Sequence, residues 1–116
     1  MRTLFVTRWS TRRSDGGAAM RNAQNIAALA ALGPVDVLST GEAEDHEPAP
    51  GIAVWQHFER QPPPQMSRGA WLLRSGYHPL VDSDAHPEAE AWLAQRLREI
   101  NYDVAVVEEI SLARYV

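Results

Sequence analysis

Four short runs of apolar residues punctuate the chain: "TLFVT" at Thr3–Thr7, "VDVLST" at Val35–Thr40, "IAVWQHF" at Ile52–Phe58 and "DVAVV" at Asp103–Val107. Each is strand-length and rich in β-branched or aromatic residues, so each predicts a strand. In VDVLST the inward residues are expected to be Val35, Val37 and Leu38. Between the first two runs the pattern changes period. From Gly17 to Leu32, residues Met20, Ala23, Ile26, Leu29, Ala30 and Leu32 fall on or near one helical face. Ser14 or Asp15 is suited to cap that helix. Gly33–Pro34 ends it, glycine as a left-handed cap and proline as a block to continuation.

The third run is followed by the triple proline Pro62–Pro64, a stiff connector. A short helix is predicted from a Ser67 cap through about Arg74. A longer one starts at Pro87, with Ala89, Trp92, Leu93, Leu97 and Ile100 as its apolar face. Glu88 and Glu90 in its first turn and Arg96 and Arg98 near its end complement the helix dipole. Leu112–Val116 reads as the beginning of another helix. Trp55, Phe58, Trp71 and Trp92 lie inside elements and read as core.

Strands separated by helical crossovers pair in parallel through right-handed connections. The expected fold is therefore α/β: a Rossmann-like three-layer sandwich over residues 1–116, with a four-stranded, mainly parallel sheet in the order 3-2-1-4. In such a sheet the ligand crevice lies beyond the carboxyl ends of strands 1 and 4. Two chemically suggestive stretches fall there, the Gly16–Gly17 pair and Glu108–Glu109.

Composition narrows the classes. The 116 residues are 45% hydrophobic, which suits one globular domain, and the net charge of −4 gives no basis for non-specific nucleic-acid binding. There is no cysteine, so disulfides, thiolate metal sites and thiol catalysis are excluded. The opening run is too short for a secretory signal and no run reaches membrane-spanning length, so a cytoplasmic protein is expected. All eleven cations are arginines, which offer forked hydrogen bonds to phosphate.

The candidates each carry two readings. Gly16 and Gly17 at a helix start can let a phosphate approach exposed backbone N–H groups, or can simply relieve crowding in a tight turn. "SDGG" lacks the G-x-G-x-x-G spacing of a dinucleotide fingerprint. Arg8, Arg12, Arg13 and Arg21 can pair with phosphate or be solvated; Arg21, just past the first helical turn, is favoured. Adjacent strand residues point to opposite faces, so Glu108 and Glu109 do not form a dyad. Glu108 is favoured for the cleft, and a helix cap is the plainer role. Trp9 can stack on a sugar or lipid acceptor, or cover the sheet end. "DSDAH", Asp82–His86, has the look of a metal–diphosphate motif, but before a proline-initiated helix its aspartate reads as a cap. His46, His57, His78 and His86 lack metal-ligand spacing and are expected in surface or loop roles, and no metal is expected.

Three stretches together resemble the opening of family 4 glycosyltransferases: "LFVTRWSTRRSDGGAAMRNAQNIAALAALGPVDVLST", "RSGYHPLVDS" and "NYDVAVVEEISLARYV". They cover almost the whole chain, in order. The resemblance implies the acceptor-side, N-terminal part of a GT-B enzyme, whose second Rossmann-like domain grips a nucleotide-sugar. It implies a nucleotide-sugar co-substrate, a sugar or lipid-linked acceptor, no cofactor and a peripheral relation to the membrane. On this reading Trp9, Gly16, Gly17, Arg21 and Glu108 bind substrate, the fragment alone is inactive, and its uncovered apolar surface favours self-association. The alternative is a non-catalytic flavodoxin-like module that binds a phosphorylated ligand or a protein partner.

Overall fold

A computed structural model describes residues 1–8, 16–41, 50–60, 67, 69–70, 73, 86–109, 112 and 115. Its elements are β1 (Thr3–Thr7), α1 (Gly17–Ala30), β2 (Val35–Ser39), β3 (Ile52–His57), α2 (Pro87–Glu99) and β4 (Val104–Val107). The four strands form one parallel sheet in the order β3-β2-β1-β4. Phe5 of β1 lies beside Val37 of β2 and Val106 of β4. The expected α/β, Rossmann-like topology is what the chain adopts.

Strand alternation sorts the core into two layers. Phe5, Val35 and Val37 point to one face and pack with Ile26 of α1. Leu4, Val6 and Leu38 point to the other and pack with Ala89 and Leu93 of α2, joined by Leu112 and Tyr115. Each large side chain removed from water in this way contributes about 1.5–3 kcal/mol. Trp55, Phe58 and Trp92 are partly buried against these clusters, as core aromatics. Trp71 lies outside the described residues. The bulge where β2 meets β3, between Val35 and Asp36, interrupts the register at that edge of the sheet.

The helices depart from the sequence reading in phase. The buried residues of α1 are Ala19, Asn22 and Ile26, while Met20 and Leu32 are 50% and 63% exposed. The buried stripe is rotated by about one residue because two asparagines, Asn22 and Asn25, turn inward to meet polar groups at the sheet's end. The helix also closes earlier, at Ala30 with a right-handed Ala31 cap. Gly33 comes two residues later at φ +154°, where a Cβ would strike the Met1 carbonyl oxygen. In α2, Leu97 is 52% exposed and Arg96 takes its place on the inner side. Ser67 does accept from the Ala70 N–H at 3.2 Å, the cap expected of it.

Two caps were misassigned by pattern. Gly16, not Ser14 or Asp15, occupies the cap position of α1 and has no side chain to offer its N–H groups. Ser14 and Asp15 lie outside the described residues. His86, not an aspartate, caps α2: its Nδ1 accepts from the Ala89 N–H at 3.4 Å, and the residue is 5% exposed. Of the surface or loop role expected for His86, the loop position before α2 holds and the surface one does not, and its ring also lies 5.2 Å from that of Phe58. His57 lies in strand β3 rather than in a loop, half-buried, with its Nδ1 3.1 Å from Ser39 Oγ.

Candidate functional site

Both helices run back against the strands, so their N-termini lie at the carboxyl edge of the sheet. α1 covers one face and α2 the other, which makes the gap between β1 and β4 the point where the chain's winding reverses. Thr7 ends β1 there, and Glu108 directly follows β4, donating its N–H to the Val6 carbonyl at 3.1 Å.

Glu108 faces α1, because it follows Val107 of the opposite layer by one residue. Its carboxylate meets Arg21 Nε and Nη2, both 3.1 Å from Oε2, and Asn25 Nδ2 at 2.9 Å from Oε1. Asn22 lies between. With its Oδ1 turned to accept from the Thr7 hydroxyl at 2.8 Å, its Nδ2 donates to Glu108 Oε2 and to the Ala18 carbonyl, each at 3.3 Å. That orientation satisfies both ends of the amide, as a buried amide requires. Residues 18, 21, 22 and 25 fall one helical turn apart, so a single side of α1 supplies the whole arrangement.

The two partners differ in exposure. The Glu108 side chain is 9% exposed and that of Arg21 55%. One edge of the guanidinium is held by the carboxylate while the rest of the group meets solvent. At Gly16 and Gly17, one turn earlier, a Cβ would have nothing within 4 Å among the described residues, and neither glycine has positive φ. Crowding by the described residues therefore does not account for them. The helix start is bare backbone with no acidic residue in its first turn, the polarity that attracts anions.

Of the residues predicted to bind substrate, the structure brings Gly16, Gly17, Arg21 and Glu108 to one rim. Trp9, Arg12 and Arg13 lie outside the described residues, as do His46, His78 and Asp82–Asp84. Asn22, Asn25 and Thr7 belong to the same rim and were missed. The spacing of Arg21, Asn22 and Asn25 on one helical side was the available signal. Among the described residues no group of three or more His, Asp or Glu is arranged to hold a metal ion, and no helix is long and apolar enough to cross a membrane.

A second charged cluster occupies the opposite, amino edge. Asp36 is fully buried on the α2 face of β2. It accepts from Arg2 Nη2 at 3.0 Å to each oxygen, from Arg96 Nη2 at 2.7 Å and from the Tyr102 hydroxyl at 2.6 Å. Burial pushes its pKa upward, but the bonds from Tyr102, Arg96 and Arg2 outweigh it and hold the carboxyl below its ordinary value. Burial, with the bond to Asp36, raises the Tyr102 phenol. This cluster ties the starts of β1 and β4 to β2 and α2.

No protein-family model matches the chain, and no curated protein or solved structure matches it either.

Proposed function

We propose that this chain is a Rossmann-like domain that binds a phosphate-bearing ligand at the rim between β1 and β4, as the acceptor-side part of a GT-B glycosyltransferase. In such an enzyme a sugar passes from a nucleotide-sugar to an acceptor hydroxyl, and charge stabilisation of the departing diphosphate lowers the barrier. The observation that carries the proposal is Arg21, held by Glu108 one turn from a glycine-bared helix start at the reversal point of the sheet. An arginine fork beside exposed backbone N–H groups suits phosphate oxygens. The glycosyl-transfer part rests on the sequence resemblance.

A second reading is favoured by one feature. Both oxygens of Glu108 are engaged by Arg21, Asn25 and Asn22, which leaves the carboxylate less free to meet sugar hydroxyls. That suits a module that binds phosphate without catalysing transfer.

Calorimetric titration with UDP, GDP and UDP-glucose, in competition with inorganic phosphate, tests the common claim. Saturable binding, weakened about tenfold (~1.4 kcal/mol) by Arg21→Ala, is expected. Binding that ignores Arg21→Ala, or no binding of any of the three, overturns it. Turnover of a nucleotide-sugar by a protein containing this domain, lost on Arg21→Ala, selects the transferase; binding without turnover selects the module.

A further inference from the structure

We infer that Glu108 is a positioning residue, which with Asn22 and Asn25 fixes the Arg21 guanidinium by one edge so that its remaining N–H groups face the ligand rim. The inference rests on the phosphate-binding reading for its ligand, and on geometry alone for the positioning.

A carboxylate has about four acceptor positions. Glu108 receives Arg21 Nε, Arg21 Nη2, Asn25 Nδ2 and Asn22 Nδ2. Three of these converge on Oε2 and Asn25 meets Oε1, so both oxygens are engaged within the protein and the main partner of the carboxylate is Arg21 rather than a ligand. What it does instead is order a long side chain. A free arginine carries rotamer entropy that ligand binding must remove; a guanidinium already docked on two adjacent nitrogens has lost most of it. The cradle is itself anchored on three elements, through Thr7 of β1, Asn22 and Asn25 of α1, and Glu108 beyond β4. These are the elements that bound the reversal point.

Positioning and simple charge predict opposite signs. If Glu108 acts only as a negative charge near an anion, Glu108→Gln strengthens anion binding. If it positions Arg21, Glu108→Gln weakens it. The probe is inorganic pyrophosphate, followed by calorimetry on the full chain, with the Arg21 Nε–Hε resonance recorded by NMR. For Glu108→Gln the expected result is about tenfold weaker pyrophosphate binding, with loss of the ordered Arg21 resonance and an unchanged far-UV circular dichroism spectrum. Asn25→Ala, which removes one cradle donor without altering charge, shifts both readouts in the same direction by less, and serves if Glu108→Gln does not fold. Unchanged or tighter binding in a folded Glu108→Gln protein overturns the inference. If the wild type binds no pyrophosphate, the phosphate reading fails by itself. The resonance then decides the positioning, its loss in Glu108→Gln supporting it and its persistence overturning it.

Discussion

The sheet carries an acid gripped by arginine at each end, and the two ends differ in what they leave open. At the amino edge Asp36 is fully enclosed and collects Arg2, Arg96 and Tyr102 from three separate parts of the chain. At the carboxyl edge Glu108 is nearly as enclosed, yet its arginine is more than half exposed beside a helix start whose glycines no described residue crowds. Similar chemistry thus serves two ends. Where the arginines are drawn inward, at 32% and 19% side-chain exposure, the cluster fastens the fold. Where the arginine stays at the surface, the same pairing holds a cation in place for something else.

The sharpest way to break this comparison is to remove the enclosed acid. Asp36→Ala leaves two guanidiniums and a phenol aimed at a vacancy, and breaking a buried pair in this way costs about 3–5 kcal/mol. Arg21→Ala removes a partner that is mostly in water, so its effect on stability stays below about 1 kcal/mol. Thermal unfolding of the two variants checks the ranking. Equal losses would show that the carboxyl-edge pair is also a structural fastener.

Acid titration separates the ends further. Asp36 has a folded pKa below its ordinary value, so the unfolded chain takes up its proton first as pH falls. Its contribution to stability is complete above the unfolded carboxylate pKa of about 3.9 and is lost progressively below it. Urea unfolding at a series of acidic pH values is expected to show that loss in the wild type. In Asp36→Asn the corresponding component of the slope is absent. A wild-type slope retained in Asp36→Asn would assign it to other carboxylates.

A smaller effect is expected at Tyr102. Tyr102→Phe deletes one hydrogen bond to a charged acceptor while leaving both arginines on Asp36, a loss of about 1.5–3 kcal/mol in urea denaturation. The variant also removes one of the bonds that lower the Asp36 pKa, so its acid loss starts at the same unfolded pKa but is smaller and ends at a higher pH than in the wild type. An unchanged acid profile would mean that the arginines alone set the Asp36 pKa.

Much of the framework was legible because it rests on local periodicity. The four strands, the parallel order and the glycine-to-Glu108 convergence follow from where apolar runs alternate with helical ones. The Asp36 cluster was not legible. The inward set Val35, Val37 and Leu38 leaves Asp36 without an assigned role, but a central parallel strand is covered on both faces. The residues that make a buried aspartate tolerable are 34, 60 and 66 positions away. The phase of α1 failed for the converse reason. A stripe drawn through apolar residues leaves Asn22 out, although Asn22 is fully buried because Thr7 and Glu108 await it. Hydrophobic pattern finds the layers of a fold; polar groups whose partners are distant in sequence escape it.

Gly17 offers the smallest disturbance of the fold and bears most directly on what the open end is for. It is the first residue of α1, at negative φ, with no described residue within 4 Å of where a Cβ would stand. Valine is a better helix former than glycine by a few tenths of a kcal/mol, so Gly17→Val should leave stability unchanged or raise it by about 0.5 kcal/mol. A branched side chain there nonetheless fills the space over the first-turn N–H groups, beside Arg21. Loss of UDP or pyrophosphate binding without loss of stability would show that the glycine's missing side chain is space kept for a ligand. A lower melting temperature with unaltered binding would make the glycine architectural, and the two ends of the sheet would then differ in exposure but not in purpose.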